Sequence, residues 1–331
     1  MGTQLKKYFP MLWEKEDLLE NIKSNTNLSD IFDQWTTLQQ QEFINFCTGV
    51  RGIKFLYDGF SKEILNPEYT PERLNDFLSL LMKQRVKVHA ILPNDSTRIA
   101  DESALIVTDL VVELENGTLA NVEIQKIGYG FPGQRSACYS SDLLLRQYKR
   151  VRSIKSKKFS YKNIKDVYTI VLYENSPSEF HAFPESYLHY FEQQSDTSLK
   201  LPLLQKYLFV PLDIFLKIQH NKVISNKLDA WLLFFASDDP FDIIRLIEEY
   251  PEFKAMYEQA YRICRNMEDV MGIFSEELRI LDRNTVQYMI DEMQDTIDAQ
   301  KVSLAEKEQE ISEKEQQIAE LQRRLAEFEN K

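Results

Sequence analysis

Apolar residues recur near helical spacing in the first fifty positions, at Leu18, Leu19 and Ile22 and again at Ile31, Phe32, Trp35 and Leu38. This predicts an N-terminal helical segment that packs on a core. After Pro71-Glu72, the residues Leu74, Phe77, Leu78, Leu81 and Met82 share one helical face, and Pro favours a helix start, so a helix is predicted over 72–83. Strand-like runs follow at Val86 to Leu92, Leu105 to Leu114, Leu119 to Ile127 and Val167 to Tyr173, with a helix from about Gln134 to Arg152 between the last two. The order is helix, three strands, helix, strand. Beyond a last strand at Tyr207 to Leu212, residues 226–290 read as helical throughout, with Trp231, Leu232, Phe235, Ile243, Ile244, Leu246 and Ile247 as core candidates. From there a heptad appears. Ile290, Ile297, Leu304, Ile311, Ile318 and Leu325 stand seven apart as a positions, while the d positions are Met293, Gln300, Lys307, Lys314, Leu321 and Phe328.

The run Glu115-Asn116-Gly117 between two alternating segments predicts a β-hairpin. Its register follows from side-chain alternation. A two-residue Asn-Gly loop would set Asp109 against Ile124 and every apolar face against a polar one. A three-residue loop closed by Gly117 in the left-handed conformation puts Leu110, Val112 and Leu114 on one face with Ala120, Val122 and Ile124. That register sets Asp109 opposite Glu123 on the other face, with Gln125 two residues further along. Facing carboxylates repel unless protonated, hydrogen-bonded or bridged by a cation. A hard ion such as Mg²⁺ takes one or two protein carboxylates and keeps positions for water and phosphate oxygens. A solvated polar sheet face is the bland alternative on spacing alone. With four histidines and no H-E-x-x-H, the chain does not read as a zinc hydrolase.

Composition narrows the function classes. At 331 residues, more than one folded unit is expected. Cys47, Cys138 and Cys264 are odd in number and far apart in sequence, which gives neither a disulfide framework nor a C-x-x-C pair and suits a reducing cytoplasm. The longest apolar run, Trp231 to Ala236, is too short for a bilayer, and the start lacks a signal-peptide core, so a cytoplasmic protein with no membrane association is expected. The net charge of −12 would on average repel nucleic acid. Between Arg146 and Lys165, however, nine Lys or Arg occur with no acid, interleaved with Tyr148, Phe159 and Tyr161. Arg146, Lys149, Arg150, Arg152, Lys155, Lys157 and Lys158 are therefore candidate phosphate contacts. Gly128-Tyr-Gly130-Phe-Pro-Gly133 fits G-x-G-x-x-G, yet no acid follows about 20 residues on and the preceding strand is polar, so a nucleotide fingerprint is not inferred.

The Asp109 and Glu123-x-Gln125 hairpin, with its element order, resembles the PD-(D/E)XK nuclease superfamily, specifically its transposase-like, recombination-promoting branch. Three stretches carry the resemblance: Gly49-Val-Arg-Gly-Ile-Lys-Phe-Leu-Tyr-Asp58, Thr108 to Lys126, and Phe131-Pro-Gly-Gln-Arg-Ser-Ala-Cys-Tyr-Ser-Ser-Asp142. Over about residues 30–290 it implies a restriction-endonuclease-like α/β core, a mixed sheet flanked by helices, to which the helical and heptad spacings add an all-helical C-terminal region and a terminal coiled coil. The division is 1–50 N-terminal helical segment, 51–215 nuclease-like core, 216–290 helical domain and 291–331 coiled coil. It also implies an endonuclease, a hydrolase of DNA phosphodiesters acting in DNA recombination with Mg²⁺ or Mn²⁺. Asp109 and Glu123 are the implied metal ligands and catalytic acids. Gln125 takes the place of the superfamily lysine, and a neutral amide can orient water or phosphate but supplies no charge. Asp58, in Asp58-Gly-Phe-Ser61-Lys62 with Ser where the branch has Phe, is the implied third acid, with Glu63 in reserve. Gln134 and Arg135 stand where the superfamily places groups that handle the scissile phosphate. DNA is the expected partner, with a homodimer through the 290–325 heptads. The alternatives are a DNA-binding protein with a decayed site and a coiled-coil oligomeric scaffold.

Overall fold

The helical spacing before residue 50 is realised as α1 (Lys15–Ser24), α2 (Thr26–Gln34) and α3 (Thr37–Thr48). Asn25 caps α2 with its side chain, and Thr36 and Gln39 form a capping box at α3. Two further helices, α4 (Asp58–Ile64) and α5 (Pro71–Leu81), lead into β1 (Val88–Leu92), β2 (Leu110–Leu114) and β3 (Leu119–Gln125). Then come α6 (Pro132–Lys155), β4 (Val167–Tyr173), α7 (Ser178–His181), β5 (His189–Phe191), β6 (Gln205–Pro211) and α8 (Leu212–Gln219). The chain ends in α9 (Lys227–Ala236), α10 (Pro240–Glu249), α11 (Glu252–Ile263) and α12 (Met267–Glu329). This computed structural model describes residues 4–92, 110–126, 128, 132–220 and 222–329, without the side chains of residues 58, 283, 284, 287, 291, 295, 320 and 324–329. Two compact units result, Met1–Asp282 and Arg283–Lys331.

The expected order of helix, three strands, helix, strand is present. The mixed sheet runs β1-β2-β3-β4-β6-β5, with β3, β4 and β6 mutually parallel and the other neighbours antiparallel. At the hairpin, Leu110 pairs with Val122, Val111 with Asn121, Val112 with Ala120 and Glu113 with Leu119. This is the register that the hydrophobic alternation selects. Gly117 adopts φ +86°, and its amide donates to the Leu114 carbonyl at 2.8 Å while Leu114 N donates to Thr118 O at 2.9 Å, closing a three-residue loop. Asp109 lies outside the described residues.

One sheet face, with Val112, Leu114, Ala120, Val122, Ile170, Leu172, Leu208 and Val210, packs into a large core shared by the N-terminal helices and by α4, α5 and α8–α12. Phe55 stacks on Phe234 at 4.0 Å between ring centroids, and Phe9 contacts Tyr261 at 4.9 Å. The other face is covered by α6, where Val111, Leu119, Leu143 and Val167 cluster. The helical stretch after 226 is not continuous. Asp239 caps α10 with Pro240 at its first turn, and Pro251 precedes α11, so two breaks fall at proline. Cys47 and Cys264, remote in sequence, are both buried and in side-chain contact as free thiols. Burial, then each other's proximity, raises the Cys47 thiol well above its ordinary range.

Gly128 is explained by packing rather than by phosphate. A Cβ there would stand 2.5 Å from the Pro177 nitrogen and 2.8 Å from the Asn175 carbonyl oxygen, so only glycine allows β3's exit to pass the segment after β4. The expectation that β3 is too polar to be a central parallel strand needs correction. It is central and parallel to β4, and its polar side chains are buried because α6 meets them with polar side chains of its own.

Candidate active site under helix α6

Alternation along β3 puts Leu119, Asn121, Glu123 and Gln125 toward α6, and the parallel register aligns Asn121 with Thr169 and Gln125 with Tyr173 of β4. From α6, the residues Ser136, Tyr139, Ser140, Leu143 and Gln147 recur at helical spacing and are buried against this face. The interface is therefore graded. It is apolar at the hairpin end, carries Asn121, Thr169 and Ser140 midway, and becomes ionic at the C-terminal end of β3.

At that end Glu123 and Gln125 are 4% and 5% exposed, so the polar face is a covered one rather than a solvated one. Gln125 Nε2 donates to Glu123 Oε1 at 2.7 Å. Arg135, on the first turns of α6, donates from Nη2 to the Tyr139 hydroxyl at 2.9 Å, and that hydroxyl is hydrogen-bonded to the Glu123 carboxylate. Burial foremost, and then the Glu123 charge, push the phenols of both Tyr139 and Tyr173 above the ordinary range, with Arg135 acting in the opposite sense. Both tyrosines are thus held neutral beside a carboxylate and a guanidinium. Arg135 is joined to Glu123 through the Tyr139 hydroxyl, while Gln134 is exposed. Tyr139 and Tyr173 were not singled out by the sequence. The spacing Arg135-x-x-x-Tyr139 on one helix face could have marked the first; nothing local marks the second.

Lys126 takes the other side of the strand, as alternation requires. Its ammonium lies 4.3 Å from the Tyr57 ring centroid and pairs with Glu277 of α12, both partners being buried. The Tyr57 hydroxyl donates to Glu42 at 2.7 Å, and Lys54 pairs with the same carboxylate at 2.9 Å. Asp58 begins α4 directly after Tyr57, with its side chain outside the described residues, and Glu63 is exposed. Ser61 is buried.

The basic run divides. Arg146 pairs with Asp142 at 2.6 Å and Arg150 with Glu113 of β2 at 2.6 Å, so these two candidate phosphate contacts already have acidic partners inside the fold. Lys149, Arg152, Lys155, Lys157 and Lys158 are exposed. They lie at the C-terminal end of α6, whereas Glu123 faces its N-terminal turns; Gln147 fixes that far end by donating to the Gly117 carbonyl at 3.0 Å and accepting from Lys165 N at 2.7 Å.

Over residues 59–292 the sequence matches the family described as PD-(D/E)XK nuclease family transposase. The chain belongs to that family. No curated protein and no solved structure matches it. For a PD-(D/E)XK protein the donor chemistry here suits a hard divalent cation, since Glu123 and Gln125 offer carboxylate and amide oxygens. Among the described residues no group of three or more His, Cys, Asp or Glu could hold a metal ion, and Asp109 and the Asp58 side chain fall outside that set. No helix among the described residues is long and apolar enough to cross a membrane.

Proposed function

We propose that this family member is a divalent-metal-dependent DNA endonuclease of the recombination-promoting type. The observation that carries the reading is the Glu123 carboxylate, buried at the end of β3 among Gln125, Tyr139 and Arg135. The side-chain alternation read from the sequence makes Asp109 and Glu123 partners, and on that reading these two carboxylates are the proposed ligands of Mg²⁺ or Mn²⁺. A bound ion of this kind supplies Lewis acidity and a water of lowered pKa. The chain's own groups do the positioning. Gln125 orients the water through its amide, and Arg135, released toward substrate from Tyr139, offers its guanidinium to the scissile phosphate. Asp58 is proposed as a third acid, and residues 51–215 as the nuclease-like part between the helical segments 1–50 and 216–290. Lys149, Arg152, Lys155, Lys157 and Lys158 are the proposed phosphate contacts, with Arg146 and Arg150 in reserve behind their ion pairs. Residues 291–331 are proposed to form a coiled coil, and DNA as substrate fits a cytoplasmic location.

Nicking of supercoiled plasmid, with Mg²⁺, with Mn²⁺ and with chelator, tests the reading. Metal-dependent cutting lost in Asp109→Asn supports it, and binding without cutting in any metal sinks it. One observation favours that second outcome. A neutral amide stands where the superfamily has lysine, and its bond to Glu123 already satisfies one carboxylate oxygen. A decayed site that still binds DNA would look the same. A pure scaffold would neither cut nor bind.

A further inference from the structure

The C-terminal end of α6 and the turn after it carry a combination that charge alone does not require. Lys149, Arg152, Lys155, Lys157, Lys158 and Lys162 are exposed, and none has an acid within ion-pair distance among the described residues. In their midst Phe159 packs edge-on against both Tyr148 and Tyr161, at 5.6 and 5.4 Å between centroids, and the two tyrosine rings are parallel within 13°. Arg152 donates to the Tyr148 hydroxyl and lies 5.6 Å from its ring centroid. Packing of Tyr148 and Phe159 thus orients Tyr161, which is itself 76% exposed, and Ile154 nearby is 69% exposed.

We propose that this end of α6 is a platform for an unpaired DNA strand, separate from the Glu123 end; the inference rests on the reading of the chain as acting on DNA and names the form of DNA that this surface takes. Cations would track the phosphates of any nucleic acid. An exposed, pre-oriented ring adds affinity only for a base whose face is free, and a duplex hides its base faces in the stack. The combination of free cations with a supported ring therefore discriminates for single strands. Its place on the helix adds a distance. Arg152 is 17 residues beyond Arg135 on α6, about 26 Å at about 1.5 Å per residue, so the strand held here lies some seven or eight stacked nucleotides from the group proposed to meet the scissile phosphate. The substrate that engages both ends would be a duplex with an unpaired arm.

Binding of labelled 30-nucleotide oligo-dT, of the matching duplex and of oligo-U to the full chain, measured by anisotropy in chelator, separates this from cleavage. The single DNA strand is expected to bind tighter than the duplex. Tyr161→Ala should weaken the single strand by about fivefold to about a hundredfold and leave the duplex unchanged, whereas Tyr161→Phe should bind as wild type. The double variant Lys157→Glu, Lys158→Glu should weaken both forms. Equal loss of both forms in Tyr161→Ala, no loss in either, or tighter binding of oligo-U than of oligo-dT overturns the platform. Plasmid nicking reports separately on the nuclease reading, which stands or falls independently of these affinities.

Discussion

Three side chains of different chemistry converge on the Glu123 carboxylate: an amide, a phenol and, through the phenol, a guanidinium. Because Glu123 is buried, truncation to alanine would strand both donors and confound catalysis with stability. The isosteric Glu123→Gln is therefore the cleaner probe, expected to reduce metal-dependent nicking by about a hundredfold or more with the far-ultraviolet spectrum unchanged. Gln125→Lys should retain or raise nicking, since an ammonium supplies the positive charge that the amide lacks; a folded variant without activity would show that the pocket is shaped around the amide. On the opposite side of β3, Lys126 and Glu277 are a buried pair, so Glu277→Ala should destabilise by about 3 to 5 kcal/mol, read as a lowered urea midpoint. The half-buried Glu42 behaves differently. Burial raises its pKa, but Lys54 and the Tyr57 hydroxyl together outweigh that and lower it, while Lys54 is raised by the same contact against burial. A lowered carboxylate contributes stability above its unfolded pKa of about 4.3, lost as pH falls through the lower folded value. A raised lysine contributes below about 10.4, lost as pH climbs through its folded value. Glu42→Gln should therefore lower the urea midpoint at pH 7 and approach wild type at strongly acid pH; an equal deficit at both would exclude the pair as the cause. At this scale the nearness of Glu123 and Gln125 was legible, because residues two apart on a strand share a face, whereas Arg135 was marked by the resemblance alone. Tyr173 was not legible, since only the parallel register of β3 and β4 carries it to Gln125.

At the scale of elements, the hairpin was fixed by two independent local constraints that agree. Period-two alternation rejects the two-residue loop, and Gly117 supplies the positive φ that the three-residue loop needs. Gly117→Ala should cost about 1 to 2 kcal/mol from the left-handed backbone alone, since the nearest atom to an added Cβ, Lys165 Cγ, is at an ordinary 3.5 Å. A thermal melt compared with Gly117→Asn, a residue that tolerates the left-handed region, isolates the effect. What alternation could not reveal is whether a face is covered. In sequence, Asn121, Glu123 and Gln125 are as compatible with a solvated stripe as with a covered one, because their neighbours say nothing about α6, whose inner face is itself built of Ser136, Tyr139, Ser140 and Gln147. A helix with a polar inner face lacks the hydrophobic signature that would announce it as a lid. Arg146 and Arg150 have partners of different reach, one a helical turn away and one on another strand. Asp142 lies just outside the basic run, and Glu113 reaches Arg150 only once β2 is in the sheet.

For the molecule as a whole, the resemblance and the helical periodicity together anticipated a mixed sheet flanked by helices with helices following it. The sharing of one core by residues before 50 and after 226 was not visible, because contacts such as Phe9 with Tyr261 and Phe55 with Phe234 join positions some two hundred residues apart. The heptad was legible as a pattern of spacing. Within Arg283–Lys331, Ile290, Ile297, Leu304, Ile311 and Ile318 are each about half exposed on α12, an apolar stripe that a single chain leaves in water. Burying it against a second copy would recover hydrophobic free energy at every a position. The d positions oppose this. Gln300, Lys307 and Lys314 contribute no apolar contact, and a parallel pair would bring like lysines together, so a weak dimer or an antiparallel one is expected rather than a tight zipper. The consequence for function is stoichiometric, since one site of this kind cuts one strand and two tethered sites could cut both. Sedimentation of the full chain and of a chain ending at Asp282 decides the first step. A larger mass for the full chain alone at micromolar concentration supports the dimer, and equal monomer masses dismiss it. Double-strand cutting of linear DNA then decides the second: a truncated chain that nicks normally but no longer produces paired breaks assigns the stripe a role in catalysis, and unchanged paired breaks remove it.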